Sequence, residues 1–254
     1  MERDDKGKDV GFVLLHGSEL GAWQWDRLVP LLRRPALPVD LPGRGSRPAD
    51  RRSLSLDDAV GSVVGDVDAW GVDRVILVAH SFSGVLLPAL ASRLGDRVAA
   101  VVLVGAHVPE EGRCWVDLQP PGQRAFLRLL YQLRPGGVLS PRGSNRKTLC
   151  NDLDEETTTT FLDRRVPEVP RFLLDPVSPA ALPPAVPRHY VRLLQDRSIS
   201  EAARERMIAR LPGAQVHDLD SGHLPMLGRP GDLAAILDGV AEASLGSVRS
   251  SPDA

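Results

Sequence analysis

The stretch "RVILVAHSFSGVLLPAL", Arg74 to Leu90, constrains this chain more than any other. An apolar, β-branched run stops at Ala79-His80, a lone Ser81 follows, and after the small residues Ser83 and Gly84 the apolar spacing becomes helical. A buried strand that turns sharply into a helix needs small neighbours two before and two after the apex. Ala79 and Ser83 satisfy this, a strand–elbow–helix pattern with both flanking glycines relaxed to other small residues. Such a corner lifts the Ser81 hydroxyl above the sheet and aims the Phe82 N–H at the same point. A helix cap is the other reading of Ser81.

The surrounding sequence repeats the strand–helix alternation, which predicts a parallel sheet. "VGFVLL" (Val10–Leu15), "ALPV" (Ala36–Val39), "RVILVA", "VAAVVLVG" (Val98–Gly105), "YVRLL" (Tyr190–Leu194) and "AQVHDL" read as strands. Helices are predicted over Trp25–Leu32, with Leu28, Leu31 and Leu32 on one face, and after Ser55, a plausible N-cap with Asp57 and Asp58 in the first turn. Others follow Ser81, cover "SISEAARERMIARL", where Ser198 and Glu201 have capping-box spacing, and end with Gly231–Ser244. Between about His107 and Arg188 the alternation breaks into a Pro-, Arg- and Thr-rich stretch with weak helical patches. A structureless loop that long is unusual, so we read an inserted helical cap. The expectation is an α/β fold, a mostly parallel, doubly wound sheet of about six strands. Its core is 1–106 and 188–246, its cap 107–187 follows the strand ending near Gly105, and 247–254 is a disordered tail.

Composition narrows the function classes. A formal net charge of −2 gives no global field for nucleic acid or an anionic membrane, and no apolar run approaches the length of a bilayer span. The charged start "MERDDKGKDV" lacks a signal-peptide core, and Cys114 and Cys150 read as reduced thiols; together these point to a cytoplasmic protein. Only three of the 31 basic residues are lysines, which we read, with abundant Ala, Pro and Arg, as GC-rich coding bias.

An activated serine needs a base and an acid. Of six histidines, His223 in "DLDSGHLPML" lies in a loop after the last strand, where an open sheet presents residues at its carboxyl edge. His80 should point away from Ser81 across the strand, and His189 and His217 sit in strands as structural residues. Asp196 follows the preceding strand, 27 residues before His223, giving the chain order Ser…Asp…His rather than the orders of the two common serine protease folds. Each residue alone reads equally well as a cap or turn residue; the three together do not. Glu110 or Glu111 is the rival acid. In "LLHGSELGAW" the first strand ends at His16-Gly17, and Gly17 allows a sharp turn that offers the Ser18 N–H beside that of Phe82.

"FVLLHGSELGAWQWDRLVPLL", "VILVAHSFSG" and "SGHLPMLGRPGDL" resemble the α/β-hydrolase group of plant methylesterases, salicylate-binding esterases and hydroxynitrile lyases, with its small bacterial esterase relatives. The resemblance implies a Ser81–His223–Asp196 triad, an oxyanion hole from Ser18 and Phe82, an acyl-enzyme, and no metal or cofactor. Cyanohydrin-cleaving members carry Thr after the first-strand His and Lys after the catalytic His. Gly17 and Leu224 stand there in this chain, so the resemblance implies ester hydrolysis. "LCNDLDEET" is similar to a cap motif of bacterial members. A pocket between elbow and cap would use Gly17, Leu224, Met226, Trp115, Phe126 and Tyr131, with Phe82, Leu130, Phe161 and Phe172 as further candidates, for a small, largely apolar ester. Of Trp23 and Trp25, which bracket the oxyanion loop, at least one should be structural. Thioesterase, lactonase, cyclase or C–C lyase chemistry on the same triad, and a binding protein with little turnover, are the alternatives. The oligomeric state, a homodimer included, stays open.

Overall fold

In the computed structural model, which describes residues 10–246, six strands form one sheet. They are β1 (Val10–Leu15), β2 (Ala36–Val39), β3 (Arg74–His80), β4 (Val98–Val104), β5 (Arg188–Leu193) and β6 (Gln215–Leu219). Every neighbouring pair is parallel, in the order β2-β1-β3-β4-β5-β6. The chain runs outward from β1 to β2 and then returns to lay β3 on the other side of β1. The carboxyl ends of β1 and β3 therefore flank the switch point where such sheets open a crevice.

The helices are α1 (Leu56–Trp70), α2 (Leu87–Leu94), α3 (Pro121–Leu133), α4 (Arg142–Thr148), α5 (Glu155–Asp163), α6 (Pro170–Leu174), α7 (Glu201–Ile208), α8 (Pro225–Gly228) and α9 (Pro230–Gly246). Alternate strand residues face opposite layers. Val13, Leu15, Val75, Leu77, Val101 and Leu103 pack toward α1 and α2, while Phe12, Leu14, Ile76, Val78, Val102 and Val104 pack toward α9. α1 opens on a capping box between Ser55 and Asp58 and closes at Gly71, whose φ of 73° suits the left-handed C-cap. Residues 107–187 carry α3 to α6 between β4 and β5, and their apolar side chains, Phe172 and Phe161 among them, join these two layers. The expected tail, 247–254, lies outside the described residues.

Three local expectations are corrected. Trp25–Leu32 is not a helix but two 3₁₀ turns, Ala22–Trp25 and Val29–Leu31, with Leu28 buried and Leu31 48% exposed. Pro30 offers no amide hydrogen and disfavours helical backbone at Val29, so no α-helix propagates. The helix after β3 starts as a 3₁₀ segment, Ser81–Leu86, before α2. The N-cap of α7 is Ser200, whose hydroxyl accepts from the Ala203 amide, while Ser198 bonds to Asp196 instead.

Candidate active site

Ser81 has φ of 53°, one of two described non-glycine residues with positive φ. For an L-residue this left-handed backbone costs about 1–2 kcal/mol, and buried structure on both sides of the corner holds it there. The Ser81 carbonyl accepts from the His107 amide at 2.9 Å. Gly84 permits that approach, because a Cβ there would lie 2.3 Å from the His107 carbonyl oxygen. Ser83 stands where the elbow usually has glycine, and its buried hydroxyl donates to the His16 carbonyl, tying the elbow to the end of β1.

The structure brings Ser81, His223 and Asp196 together. His223 Nε2 lies 2.8 Å from Ser81 Oγ, and His223 Nδ1 lies 2.8 Å from Asp196 Oδ2. The rival Glu110 is instead paired with Arg210 at the surface. Ser198 completes the arrangement: its hydroxyl donates to Asp196 Oδ1 at 2.7 Å, so its oxygen is left to accept from His223 Nδ1 at 2.9 Å. The Nδ1 proton is thus held between Asp196 and Ser198, and Nε2 turns a lone pair toward the Ser81 hydroxyl. Burial alone would raise the Asp196 carboxyl; the imidazole beside it and the Ser198 hydroxyl and amide hold it well below the usual carboxylate range.

His80 corrects an expectation. Rather than pointing away, its ring lies 4.9 Å from that of His223, and its Nε2–H donates to the His223 carbonyl at 2.8 Å. β3 ends at His80 and the chain turns at once, so this side chain packs under the His223 loop. Burial, then the neighbouring His223, lowers the His80 pKa well below that of a free histidine, so it supports the site as a neutral ring. His189 and His217 stack on each other away from the site.

The other edge is the β1 turn. Gly17 sits against His80, where a Cβ would come within 2.8 Å of Nδ1. The Gly17 amide donates to Gln24 Oε1 at 3.2 Å, so Ser18 offers the next amide of the loop. His16 is buried and its pKa is lowered to about 4, chiefly by burial; its neutral Nε2 accepts from the Leu41 amide at 3.1 Å. Two buried ion pairs, Glu19–Arg165 at 2.8 Å from this turn and Arg44–Glu168 from the loop after β2, reach residues 107–187. Sequence reading missed them, since each pair joins residues more than a hundred positions apart. It also missed Ser198, although Asp-x-Ser is a local turn signal. Asp152 of "LCNDLDEET", given no role from sequence, accepts from the Gly222 amide at 2.5 Å and the Ser221 hydroxyl at 3.2 Å, holding the turn that carries His223.

A cavity of about 420 Å³ opens on Ser81 and His223. Gly17, Ser18, Trp115, Phe126, Tyr131 and Leu224 line it, and so does Phe161. Met226 does not: it is fully buried among the residues packed on α9, because α8 turns it inward past Leu224. Phe82 does not line it either. Its ring stacks on Phe172 at 6.3 Å, which leaves only its backbone near the site. Leu130 and Phe172 are likewise absent from the lining, and of the two tryptophans Trp25 is the fully buried one. Cys114 and Cys150 are free and buried. Among the described residues no helix is long and apolar enough to cross a membrane.

The chain is 26% identical to methylesterase 17 of Arabidopsis thaliana over 98% of its own length and 97% of that protein. It is 25% identical to a pheophorbidase of Raphanus sativus over 90% of this chain and 92% of the other. Among solved structures, an extracellular α/β-hydrolase from a Paenibacillus species superposes with a TM-score of 0.84 at 20% identity, covering 91% of this chain and 98% of that one. An Arabidopsis methylesterase gives 0.74 at 23%, with 92% and 99% covered. The model of the alpha/beta hydrolase family matches residues 12–236, nearly the whole described core, and the chain belongs to that family.

Proposed function

We propose that this protein is a serine esterase that cleaves a carboxylic ester of a small, largely apolar substrate. The observation that carries the reading is the continuous Ser81 Oγ–His223 Nε2 and His223 Nδ1–Asp196 contact at the floor of a cavity. Ester hydrolysis is further supported by the relatives that match along the whole chain, which are methylesterases and related hydrolases.

In this reading His223 Nε2 takes the Ser81 proton as Oγ bonds to the ester carbonyl carbon. The Ser18 and Phe82 amides hold the oxyanion, and Asp196 stabilises the imidazolium. Collapse breaks the ester C–O bond, and the proton passes from His223 to the departing alkoxide. Water, deprotonated by His223, then attacks the acyl-enzyme and releases the acid, returning the proton to Ser81. Residues 107–187 serve as the cap: Trp115, Phe126, Tyr131 and Phe161 shape the wall that receives the apolar part of the substrate.

The test is incubation with a fluorophosphonate probe and short-chain p-nitrophenyl esters, beside Ser81→Ala and His223→Ala. Labelling and turnover present in the wild type and absent from both variants support the reading. A folded wild type that neither labels nor turns over would sink it.

A further inference from the structure

A second and larger cavity, about 790 Å³, adjoins the first, and His107, Gln119, Gln123 and Ser198 line both. Five arginines line it, Arg113, Arg124, Arg197, Arg206 and Arg210, against two carboxylates, Glu110 and Asp117. Both carboxylates are already engaged: Glu110 by Arg210, and Asp117 by Arg128 at 2.6 Å. Neither of them pairs with Arg113, Arg197 or Arg206, and Arg124 spends its guanidinium on the Gln119 carbonyl. In composition the arginines read as coding bias, yet the fold gathers five of them around one hollow.

The helix beside them deepens the imbalance. Pro120, Pro121, Gln123 and Arg124 place the start of α3 on the same cavity. That first turn has no acidic residue and no side-chain cap, so its positive dipole end adds to the charge of Arg124 at the cavity. A cation at that end is unfavourable by itself and becomes favourable once an anion sits between them.

The position of the hollow relative to the triad selects which part of a substrate reaches it. His223 hands its proton to the leaving alcohol, so the alcohol portion lies on the His223 side. Ser198, which touches His223, is one of the four residues that line both cavities. We propose that the arginine-lined cavity binds an oxyanion, a carboxylate or phosphate, carried on the alcohol portion of the ester, and so selects substrates with an apolar acyl group and an anionic leaving group. This rests on the esterase reading and adds one charged group to it.

The test compares butyrate esters of 3-(4-hydroxyphenyl)propanoate and of its carboxamide, which differ in charge and little in shape. A third ester carries a phosphomonoester on the same arm. The readout is the ratio of kcat/KM for each anionic ester over the carboxamide. In the wild type this ratio is expected at about tenfold or more, falling with added salt, and in Arg113→Gln/Arg206→Gln it drops toward one. The larger of the two anionic ratios identifies carboxylate or phosphate as the preferred group. A wild-type ratio near one for both anions, or a ratio the double variant leaves intact, overturns the proposal. If no ester is turned over, the esterase reading has failed, and the cavity is tested alone. Calorimetry on Ser81→Ala with 3-(4-hydroxyphenyl)propanoate should then show binding that its carboxamide and the double variant lack; equal binding of both compounds overturns it.

Discussion

β3 and α3 border the same cavity, the one that opens on Ser81, and are built in opposite ways. β3 buries six of its seven residues and delivers Ser81 from its end. α3 buries only Tyr131 among thirteen residues and leaves Phe126, Leu129 and Leu133 exposed by 62%, 56% and 68%. Each fully buried aliphatic side chain is worth about 1.5–3 kcal/mol, so the strand resists displacement along its whole length. The wall opposite is held by fewer buried side chains, Tyr131, Phe161 and Phe172 among them, and residues 107–187 add polar links beside it: Glu19–Arg165, Arg44–Glu168, and the Ser140 amide on Glu19 Oε1 at 2.7 Å. The Ser81 corner is thus secured by burial along a whole strand, and the α3 wall by a sparser set of apolar anchors and polar links.

The largest break in that contrast comes on the sheet side. Asp196→Asn keeps the shape but no longer fixes the Nδ1 proton, and kcat toward p-nitrophenyl butyrate should fall by about 10⁴-fold, read in a steady-state assay. Next is the link between the walls. Glu168→Gln leaves Arg44 charged and unpaired in the interior, and denaturant unfolding should show a loss of about 3–5 kcal/mol. Burial alone would raise the Glu168 carboxyl, and the Arg44 guanidinium holds it below the usual range instead. A depressed native pKa means that the stabilisation is complete above the unfolded value, about 4.3, and is lost as pH falls through the native one. Glu168→Gln should therefore flatten the acid limb of stability against pH, followed by urea titration from pH 6 downward.

Smaller effects sharpen the comparison. Ser81→Gly and Ser81→Ala should both be inactive, but the glycine variant should be the more stable by about 1 kcal/mol, since φ of 53° strains only the alanine; differential scanning calorimetry on the pair decides this. The smallest change belongs to α3. Phe126→Ser should shift stability by less than about 0.5 kcal/mol while raising KM for longer acyl esters, with kcat for acetate esters retained.

The strands were legible nearly to the residue; in β1, β3 and β4 burial on two faces writes an unbroken apolar run into a few consecutive positions, while the short, half-buried β2 is bounded by its turns. Ser81, Asp196 and His223 were legible from their place in the strand order. Each lies just beyond the end of a strand, and a parallel sheet gathers the residues beyond its strand ends along one edge. Trp25–Leu32 misled because Pro30 outweighs the helical spacing around it.

By itself the sequence determined the strands, their parallel sheet and the corner that carries the serine, all of which derive from short-range periodicity and turn chemistry; the strand order and its switch point came from the fold. Tertiary structure alone decided that His80 supports the His223 loop, that Ser198 shares the Nδ1 proton, that Asp152 holds the histidine turn, and that Met226 faces inward while Phe126 does not. It also decided that arginines from four separate stretches meet around one cavity. The His80, Ser198 and Met226 contacts come from segments after β3, β5 and β6 that meet at the sheet edge, and the Asp152 and arginine contacts from the docking of residues 107–187 on that edge. That docking is made by pairs of residues far apart in the chain, whose meeting leaves no periodic trace in either partner's neighbourhood.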